Sequence, residues 1–424
     1  MASRSNRTTP DLMTAPLLLA WITAALLLQL ALGIGFAVWR HSRKPATTSQ
    51  GAGDATVPEA QLAAARWREF RVTRREFEDR AHSQCSFYLA PVDGGPLAPF
   101  KPGQFLTFSL QVPDNGADAR AITRCYSLSD APDPAHHRIT IKRVAAPPDH
   151  PEWAPGLSSN HFHERVQVGD VLKVKAPSGH FFIDADASVP AVLIGGGIGI
   201  TPMMSMLRWC VTEQPQRDVH LFYGLRNSDE HAFKAVLEQL AQDHARLHLH
   251  VVYSRPGPND VAGRDYQHRG HVDVELLRRT LPHGRHGFYV CGPPALMESL
   301  VPALVTWGVP RQDIHFEAFG PASVRLGDAQ TREAEAEFAE PVEVAFQRSG
   351  RTLVWNGADA SLLDFAERHG LAVEAGCRSG GCGSCETKLL SGSVRYARQP
   401  DHDVKPGHCL LCVGTPGSAL VLEA

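Results

Sequence analysis

Four cysteines toward the C-terminal end carry the densest chemistry in this chain. Cys377-Arg-Ser-Gly-Gly-Cys382-Gly-Ser-Cys385 is followed, after 26 intervening residues, by Cys412. Thiolates at C-x4-C-x2-C…C spacing hold a [2Fe-2S] cluster, which accepts electrons one at a time. Gly380, Gly381 and Gly383 permit a tight loop whose backbone N–H groups can reach sulfur. Zinc sites more often use two separated C-x2-C knuckles, and disulfide frameworks suit small secreted domains. The fourth ligand has two candidates in Gly407-His-Cys409-Leu-Leu-Cys412. Cys412 is expected, because it stands at the longer spacing in an apolar, strand-like context; Cys409 would then be a buried thiol.

Two further constellations precede the cysteines. Arg124-Cys-Tyr126-Ser127 combines a guanidinium that can clamp a phosphate, an aromatic face with a hydroxyl, and a serine able to meet a ring nitrogen. Gly195-Gly-Gly197-Ile-Gly199-Ile-Thr201-Pro202 follows an apolar strand and opens a helix. Glycines there let a phosphate approach the backbone, Thr201 can cap, and Pro202 suits the first helical position. Proline stands where the ordinary dinucleotide fingerprint has its third glycine.

The elements that must position these groups fall into three blocks. Residues 62–186 show short alternating runs broken by Pro and Gly (Phe105–Leu110, Arg138–Val144, Val171–Ala176), the pattern of an antiparallel β-barrel. Residues 187–320 alternate apolar strands (Ala191–Ile194, Val219–Tyr223, Leu249–Tyr253, Gly287–Cys291, Ile314–Glu317) with helical patterns near Met203–Thr212, Glu230–Asp243, Val274–Thr280 and Ala295–Trp307. That is a doubly wound parallel sheet. An Ala/Glu-rich linker, 321–340, leads to the cysteine block, 341–424. A hairpin, Val342–Phe346 with Thr352–Trp355, and a short helix opened by Ser361 and ended at Gly370 are expected there.

The motifs resemble the ferredoxin–NADP reductase superfamily, and in particular the reductase part of flavohaemoglobins. The resemblance rests on Arg124-x-Tyr126-Ser127, Ile141-Lys142-Arg143-Val144, Gly156-Leu-Ser-Ser159-Asn160-His-Phe-His163 and the G-x-G-x-x-P run. It implies that Arg124 binds the flavin pyrophosphate, Tyr126 the ribityl–isoalloxazine region and Ser127 the flavin N5. Ser159, at a helix start with Gly156, would meet the pyrophosphate, and Lys142 and Val144 belong to the same pocket. Gly197, Gly199, Thr201 and Pro202 would hold NADH, together with Cys291-Gly292-Pro293, whose cysteine lies near the nicotinamide in the family. Glu317-Ala-Phe319 resembles the end segment whose aromatic covers the flavin until nicotinamide displaces it. The sequence departs from the flavohaemoglobin pattern at Ser158 and Phe162, where aliphatic residues are usual, and in the proline-rich stretch 145–155. FAD is expected, with FMN the alternative. Arg226 could meet a 2′-phosphate, but the serine and paired arginines of NADPH enzymes are missing, so NADH is favoured over NADPH. The cysteine block resembles a plant-type ferredoxin of the β-grasp fold. The order flavin, nicotinamide, ferredoxin is that of oxygenase reductases and opposite to that of the sodium-translocating NADH–quinone reductase.

The N-terminal segment is of another kind. Residues 12–39 carry no charge and would span roughly 42 Å as a helix, against about 30 Å of hydrocarbon. Trp21 and Trp39 lie toward its ends, and Arg40, Arg43 and Lys44 follow. A cleaved signal peptide has a shorter apolar stretch. One transmembrane helix is therefore expected, between a tail 1–11 and a tether 40–61, in the cytoplasmic membrane with the catalytic part in the cytosol. The net charge of -3 gives no reason to expect a nucleic-acid partner. The expected activity is NADH to FAD to [2Fe-2S] to a terminal oxygenase or other metalloprotein; the alternatives are quinone reduction and a redox-sensing docking protein.

Overall fold

A computed structural model of the chain describes residues 29, 67–114, 117–146, 155–319, 341–378, 380–397, 400 and 402–424. The expected span 12–39 (Gln29 aside), the tether 40–61 and the linker 321–340 lie outside these residues. Among the described residues no helix is long and apolar enough to cross a membrane.

Strands β1 (Arg68–Phe77), β2 (Gln84–Pro91), β3 (Phe105–Asp114), β4 (Ala117–Ser127), β5 (His137–Lys142) and β6 (Val171–Ser178) form one antiparallel sheet in the order β4-β3-β6-β1-β2-β5. Its ends meet: Leu128 bridges Ile139, and the Ser129 N–H donates to the Arg138 carbonyl at 2.9 Å. The sheet thus closes into the expected barrel. Period-two side chains such as Phe70 and Val72, Leu106 and Phe108, and Ile139 and Ile141 fill the interior. Helix α1 (Leu157–Glu164) adds the fully buried Phe162 to that core. Burying such a ring contributes roughly 1.5–3 kcal/mol.

The second block is a parallel sheet, ordered β10-β9-β8-β7-β11-β12. Its strands are β7 (Ala191–Gly196), β8 (Val219–Leu225), β9 (Leu247–Tyr253), the short β10 (His268–Arg269), β11 (Gly287–Gly292) and β12 (Ile314–Ala318). Between them run α2 (Ile200–Glu213), α3 (Lys234–Asp243), α4 (Val274–Thr280) and α5 (Pro294–Trp307). Every residue of β7 is buried, as a strand covered on both faces requires. One face packs Met203 and Leu207 of α2 and Leu237 of α3; the other packs Leu276 and Leu277 of α4 and Leu300 and Leu304 of α5. The strand order reverses between β7 and β11, which opens a crevice at their C-terminal ends. Helix α3 begins four residues later than its sequence pattern suggests. The Asn227 side chain caps a separate turn, Ser228–Glu230, and buried Phe233 sits at φ +59, breaking the helical run.

The third block is a mixed sheet, β14-β13-β19-β15-β17, with a two-stranded β16–β18 ribbon. Its strands are β13 (Val342–Phe346), β14 (Arg351–Trp355), β15 (Glu386–Ser391), β16 (Val394–Tyr396), β17 (His408–Leu410), β18 (Gly414–Pro416) and β19 (Leu420–Leu422). The hairpin β13–β14 is antiparallel, and β13 pairs in parallel with the last strand. Helix α6 (Leu362–Arg368) starts where the Ser361 hydroxyl accepts the Asp364 N–H at 3.1 Å, a cap that contributes about 1 kcal/mol. Its Phe365 packs edge-on against Trp355 at 5.2 Å.

Candidate functional site

The residues with chemistry converge on the end of β4. Tyr126 points into the barrel core, edge-on to Phe108 and Phe162 at 5.8 and 5.2 Å. Burial pushes its phenol up to about 12, so it is a neutral hydroxyl at working pH. That hydroxyl bonds Ser158 Oγ at 2.5 Å. The two positions where the chain departs from flavohaemoglobins, Ser158 and Phe162, therefore both hold Tyr126. Half-buried Arg124 keeps one guanidinium N–H on the Thr123 carbonyl at 2.7 Å. Ser127, on the opposite strand face from Tyr126, donates to Glu317 Oε2 at 3.3 Å across 190 residues.

Gly156 starts α1 without a side-chain cap, and no acidic residue occupies the first turn. A side chain at Gly156 would meet Val144 Cβ and Ser159 Oγ at 2.8 Å, so the helix start is pressed against the end of β5. Ser159 Oγ lies 3.1 Å from the Gly156 carbonyl and 3.2 Å from the Val144 N–H, while the Val144 carbonyl accepts from Gly156 at 3.0 Å. The result is a helix N-terminus suited to a phosphate. Lys142 differs from expectation: its ammonium is tied to Glu230 of the parallel sheet at 2.6 Å.

Gly197 adopts φ +53 with open space where a side chain would be, while Gly199 has none. A methyl on Gly199 would stand 2.5 Å from the Cys291 carbonyl carbon and 2.8 Å from the Gly292 nitrogen. This glycine therefore serves a backbone crossing between the loop and β11. Gly199 itself is the uncapped N-terminal flank of α2. Thr201 does not cap; its hydroxyl donates to the Ile198 carbonyl at 3.1 Å. Pro202 falls third in the helix, where its missing N–H is still one of the unpaired first-turn donors. Pro293 flanks α5 as its N-terminal cap residue.

Cys291 is fully buried and pairs in register with both Gly195 and Glu317. Burial and the Glu317 charge hold its thiol well above the ordinary value, so it is no nucleophile. Phe319, at the end of β12, packs partly buried against the core that contains Cys291. Arg226 is exposed and paired with Glu230 Oε1 at 3.1 Å, so one carboxylate holds both Arg226 and Lys142.

In the cysteine loop, Gly381 and Cys382 N–H groups donate to Cys377 Sγ at 3.3 Å, and the Cys377 N–H donates to Cys382 Sγ at 3.2 Å. The Cys412 N–H donates to Cys385 Sγ at 3.4 Å, and the Cys412 sulfur lies beside Cys377 and Cys385. Gly380 and Gly383 take φ +80 and +69; a side chain on Gly383 would strike the His402 ring at 2.5 Å. All nine cysteines are free of disulfides. Among the described residues no group of His, Cys, Asp and Glu gathers about a single point as one metal ion would need. Two thiol pairs, 377/382 and 385/412, instead suit a two-iron cluster. Cys412 occupies a turn rather than a strand; Cys409 is the strand residue, paired to Thr387 and pushed up to about 12 by burial.

The comparisons with known proteins follow the same division. Family models match at 97–183 (oxidoreductase FAD-binding domain), 193–301 (oxidoreductase NAD-binding domain) and 344–416 (2Fe-2S iron-sulfur cluster binding domain). The FAD/NAD-binding domain of nitric oxide dioxygenase from Vibrio cholerae is 33% identical with TM-score 0.52, over 60% of this chain and 99% of that one. This chain belongs to the ferredoxin–NADP reductase superfamily. A flavohemoprotein of Halalkalibacterium halodurans is 38% identical over 265 residues, 62% of this chain and 63% of that protein. The reductase thus spans less than two thirds of that relative. An intact type IV self-sufficient cytochrome P450 monooxygenase is 23% identical with TM-score 0.55, covering 88% of this chain and 43% of that one, a likeness of fold. The chain thus carries an FAD-binding and an NAD-binding domain of the oxidoreductase type and a 2Fe-2S cluster binding domain.

Sequence reasoning missed three residues of this reductase's site. Glu230 pairs with both Arg226 and Lys142, the latter 88 residues away. Ser158 was legible as an oddity, but its partner Tyr126 was not. Cys125 lies within the R-x-Y-S motif itself, and its sulfur contacts Cys377 and Cys382.

Proposed function

We propose that this chain is an NADH-dependent reductase that feeds single electrons to a separate metalloprotein, such as a terminal oxygenase. One observation carries the reading. Two residues on one face of β4 touch both other domains: Ser127 meets Glu317 of the parallel sheet, and Cys125 lies beside the cysteine loop. FAD bound here would take a hydride from NADH and pass the electrons singly to the cluster. Arg124 and the α1 start would hold the pyrophosphate, Tyr126 would pack on the flavin, and Ser127, steadied by Glu317, would present its hydroxyl to N5. The Gly197–Gly199 loop and the α2 start would receive the NADH pyrophosphate. Glu230, by occupying Arg226 and Lys142, disfavours a 2′-phosphate and favours NADH over NADPH. Cys377 and Cys382 would bind one iron, Cys385 and Cys412 the other.

Residues 12–39 are read as a single membrane anchor that keeps the catalytic part in the cytosol, where NADH is made. The uncharged run supports this. The acceptor is read from domain order and from a cysteine block with little net charge. Anaerobic mixing of holoprotein with NADH should bleach the flavin first and then the cluster. Flavin reduction without any cluster reduction would refute the relay. Alkaline washing should leave the chain in the membrane fraction; release would remove the anchor. Co-purification from solubilised membranes should recover an iron-containing oxygenase, whereas direct quinone reduction would replace that acceptor.

A further inference from the structure

The outward face of the barrel at β3 and β4 is built as a seat for the cysteine loop. Thr107 and Cys125 are cross-strand partners there, with Oγ1 and Sγ 3.4 Å apart. Thr107 is buried. Two residues along β3, the Phe105 ring lies against Gly381, where an added side chain would approach it at 3.3 Å. The same ring covers Gly179, held at φ +107, where an added side chain would meet it at 2.7 Å. Only glycine fits on either side of that ring without displacing it. The Phe105 contact with Gly381 sets this strand pair against the cysteine loop, with the Cys125 thiol a near neighbour of the Cys377 and Cys382 sulfurs. Thr107 can donate to the Cys125 sulfur, leaving the S–H proton for the loop.

We propose that Cys125 is a positioning residue for the cluster: its single S–H donates to the sulfur of Cys377 or of Cys382, raises the cluster's reduction potential and ties it to the flavin-binding strand. The inference rests on the relay reading above. The reason is electrostatic. Reduction adds one electron to an already anionic cluster, and that charge falls partly on the cysteine sulfurs. A donor aimed at those sulfurs favours the reduced form. Among the main-chain donors, Gly381 and Cys382 already serve Cys377, so a side-chain donor from another domain adds to them. Cys125 is not counted as a fifth iron ligand, because the spacing motif supplies four.

The test is an EPR-monitored redox titration of full-length holoprotein in detergent, comparing wild type, Cys125→Ala and Cys125→Ser. Alanine deletes the donor and should shift the cluster equilibrium toward oxidised about threefold to tenfold, or roughly 30–59 mV lower for a one-electron couple. Serine keeps a hydroxyl donor and should hold the potential at or above wild type. Iron and flavin content should stay unchanged in both. Potentials that move together in the two variants, or do not move, overturn the proposal. Loss of iron from both variants overturns it too, since Cys125 would then be a ligand. Wild type without a rhombic [2Fe-2S] signal would instead defeat the relay reading itself.

Discussion

Gly199 and Gly197 stand two residues apart in one loop, yet the structure assigns them different work. Gly199→Ala would put a methyl 2.5 Å from the Cys291 carbonyl carbon and 2.8 Å from the Gly292 nitrogen. Both are backbone atoms in a buried strand, so no side chain can rotate aside. The loop and the end of β11 must separate, an overpacking that costs about 3 kcal/mol. At about 2–4 °C per kcal/mol for a unit of this size, the unfolding midpoint should fall roughly 6–12 °C. Gly197→Ala meets no atom, and its cost is the φ of +53, about 1–2 kcal/mol. Its methyl, however, would enter open space that the proposed NADH site gives to the pyrophosphate. Differential scanning calorimetry and NADH steady-state kinetics separate the two. Gly199→Ala should lose chiefly stability, with KM for NADH rising as the loop shifts. Gly197→Ala should melt roughly 2–8 °C below wild type, a smaller loss than Gly199→Ala, and lose at least tenfold in NADH affinity. A Gly199→Ala protein with an unchanged midpoint would refute the reasoning, because the crossing with Cys291 would not exist in solution.

Three further outcomes follow from the same geometry. Cys412→Ser should abolish the cluster's visible absorbance and iron while Cys409→Ser keeps both; iron lost only from Cys409→Ser would reverse the ligand set. Glu230→Gln should free Arg226 and Lys142 and raise the preference for NADPH over NADH by up to about fivefold, since exposed ion pairs contribute at most about 1 kcal/mol; unchanged kinetics with both nucleotides would dismiss Glu230 as a selector. Burial lowers His220 and His137 to about 4 and His250 and His231 to about 3. An unfolded histidine takes its proton near 6.5. Stability is therefore full above about pH 6.5 and falls as pH drops toward 4, because only the unfolded chain binds those protons. Melting from pH 7.5 to 5 should show this slope, and His220→Phe should flatten it; an equally steep profile in that variant would assign the slope elsewhere.

Much of this architecture was legible because its signals are local. Apolar runs gave β7, β8 and β11 nearly to the residue, since strands buried on both faces are rich in apolar residues; β9 begins two residues earlier than its run, at Leu247. The hairpin β13–β14 and the Ser361 cap were readable for the same reason: turn and cap chemistry act within four residues. What escaped was long-range pairing. Lys142, expected in the flavin pocket, is tied to Glu230, 88 residues away. Thr201 looked like a cap, but the turn Gly197–Gly199 moves the helix start and leaves its hydroxyl on Ile198. The strand-like context expected of Cys412 belongs to Cys409, and Cys412 stands in a turn. Spacing carried the information there; the supposed local conformation did not.

The contacts between domains suggest how one chain meets two opposite demands. Hydride transfer needs its partners held at about 3–3.5 Å, so barrel and parallel sheet must not slide. They are pinned at several buried or half-buried points besides Ser127 and Glu317. Gln84 Nε2 donates to the Glu230 carbonyl at 2.9 Å, Ser205 Oγ to the Asp130 carbonyl at 2.7 Å, and Arg208 pairs with Asp130 at 2.9 Å. Backbone joins backbone where the Ala81 N–H meets the Asp229 carbonyl at 3.0 Å and the Phe233 N–H meets the Glu78 carbonyl at 3.2 Å. The cysteine loop rests on the barrel by different means: a phenyl ring against glycine, and thiol against thiol. Such contacts are weak individually, and among the described residues no ion pair joins the barrel to the cysteine loop. A rigid entrance and a separable exit follow from those two kinds of contact. On the proposed relay, a cluster seated beside β4 would receive its electron there, and a seat held only by such contacts would let it part to meet a separate acceptor.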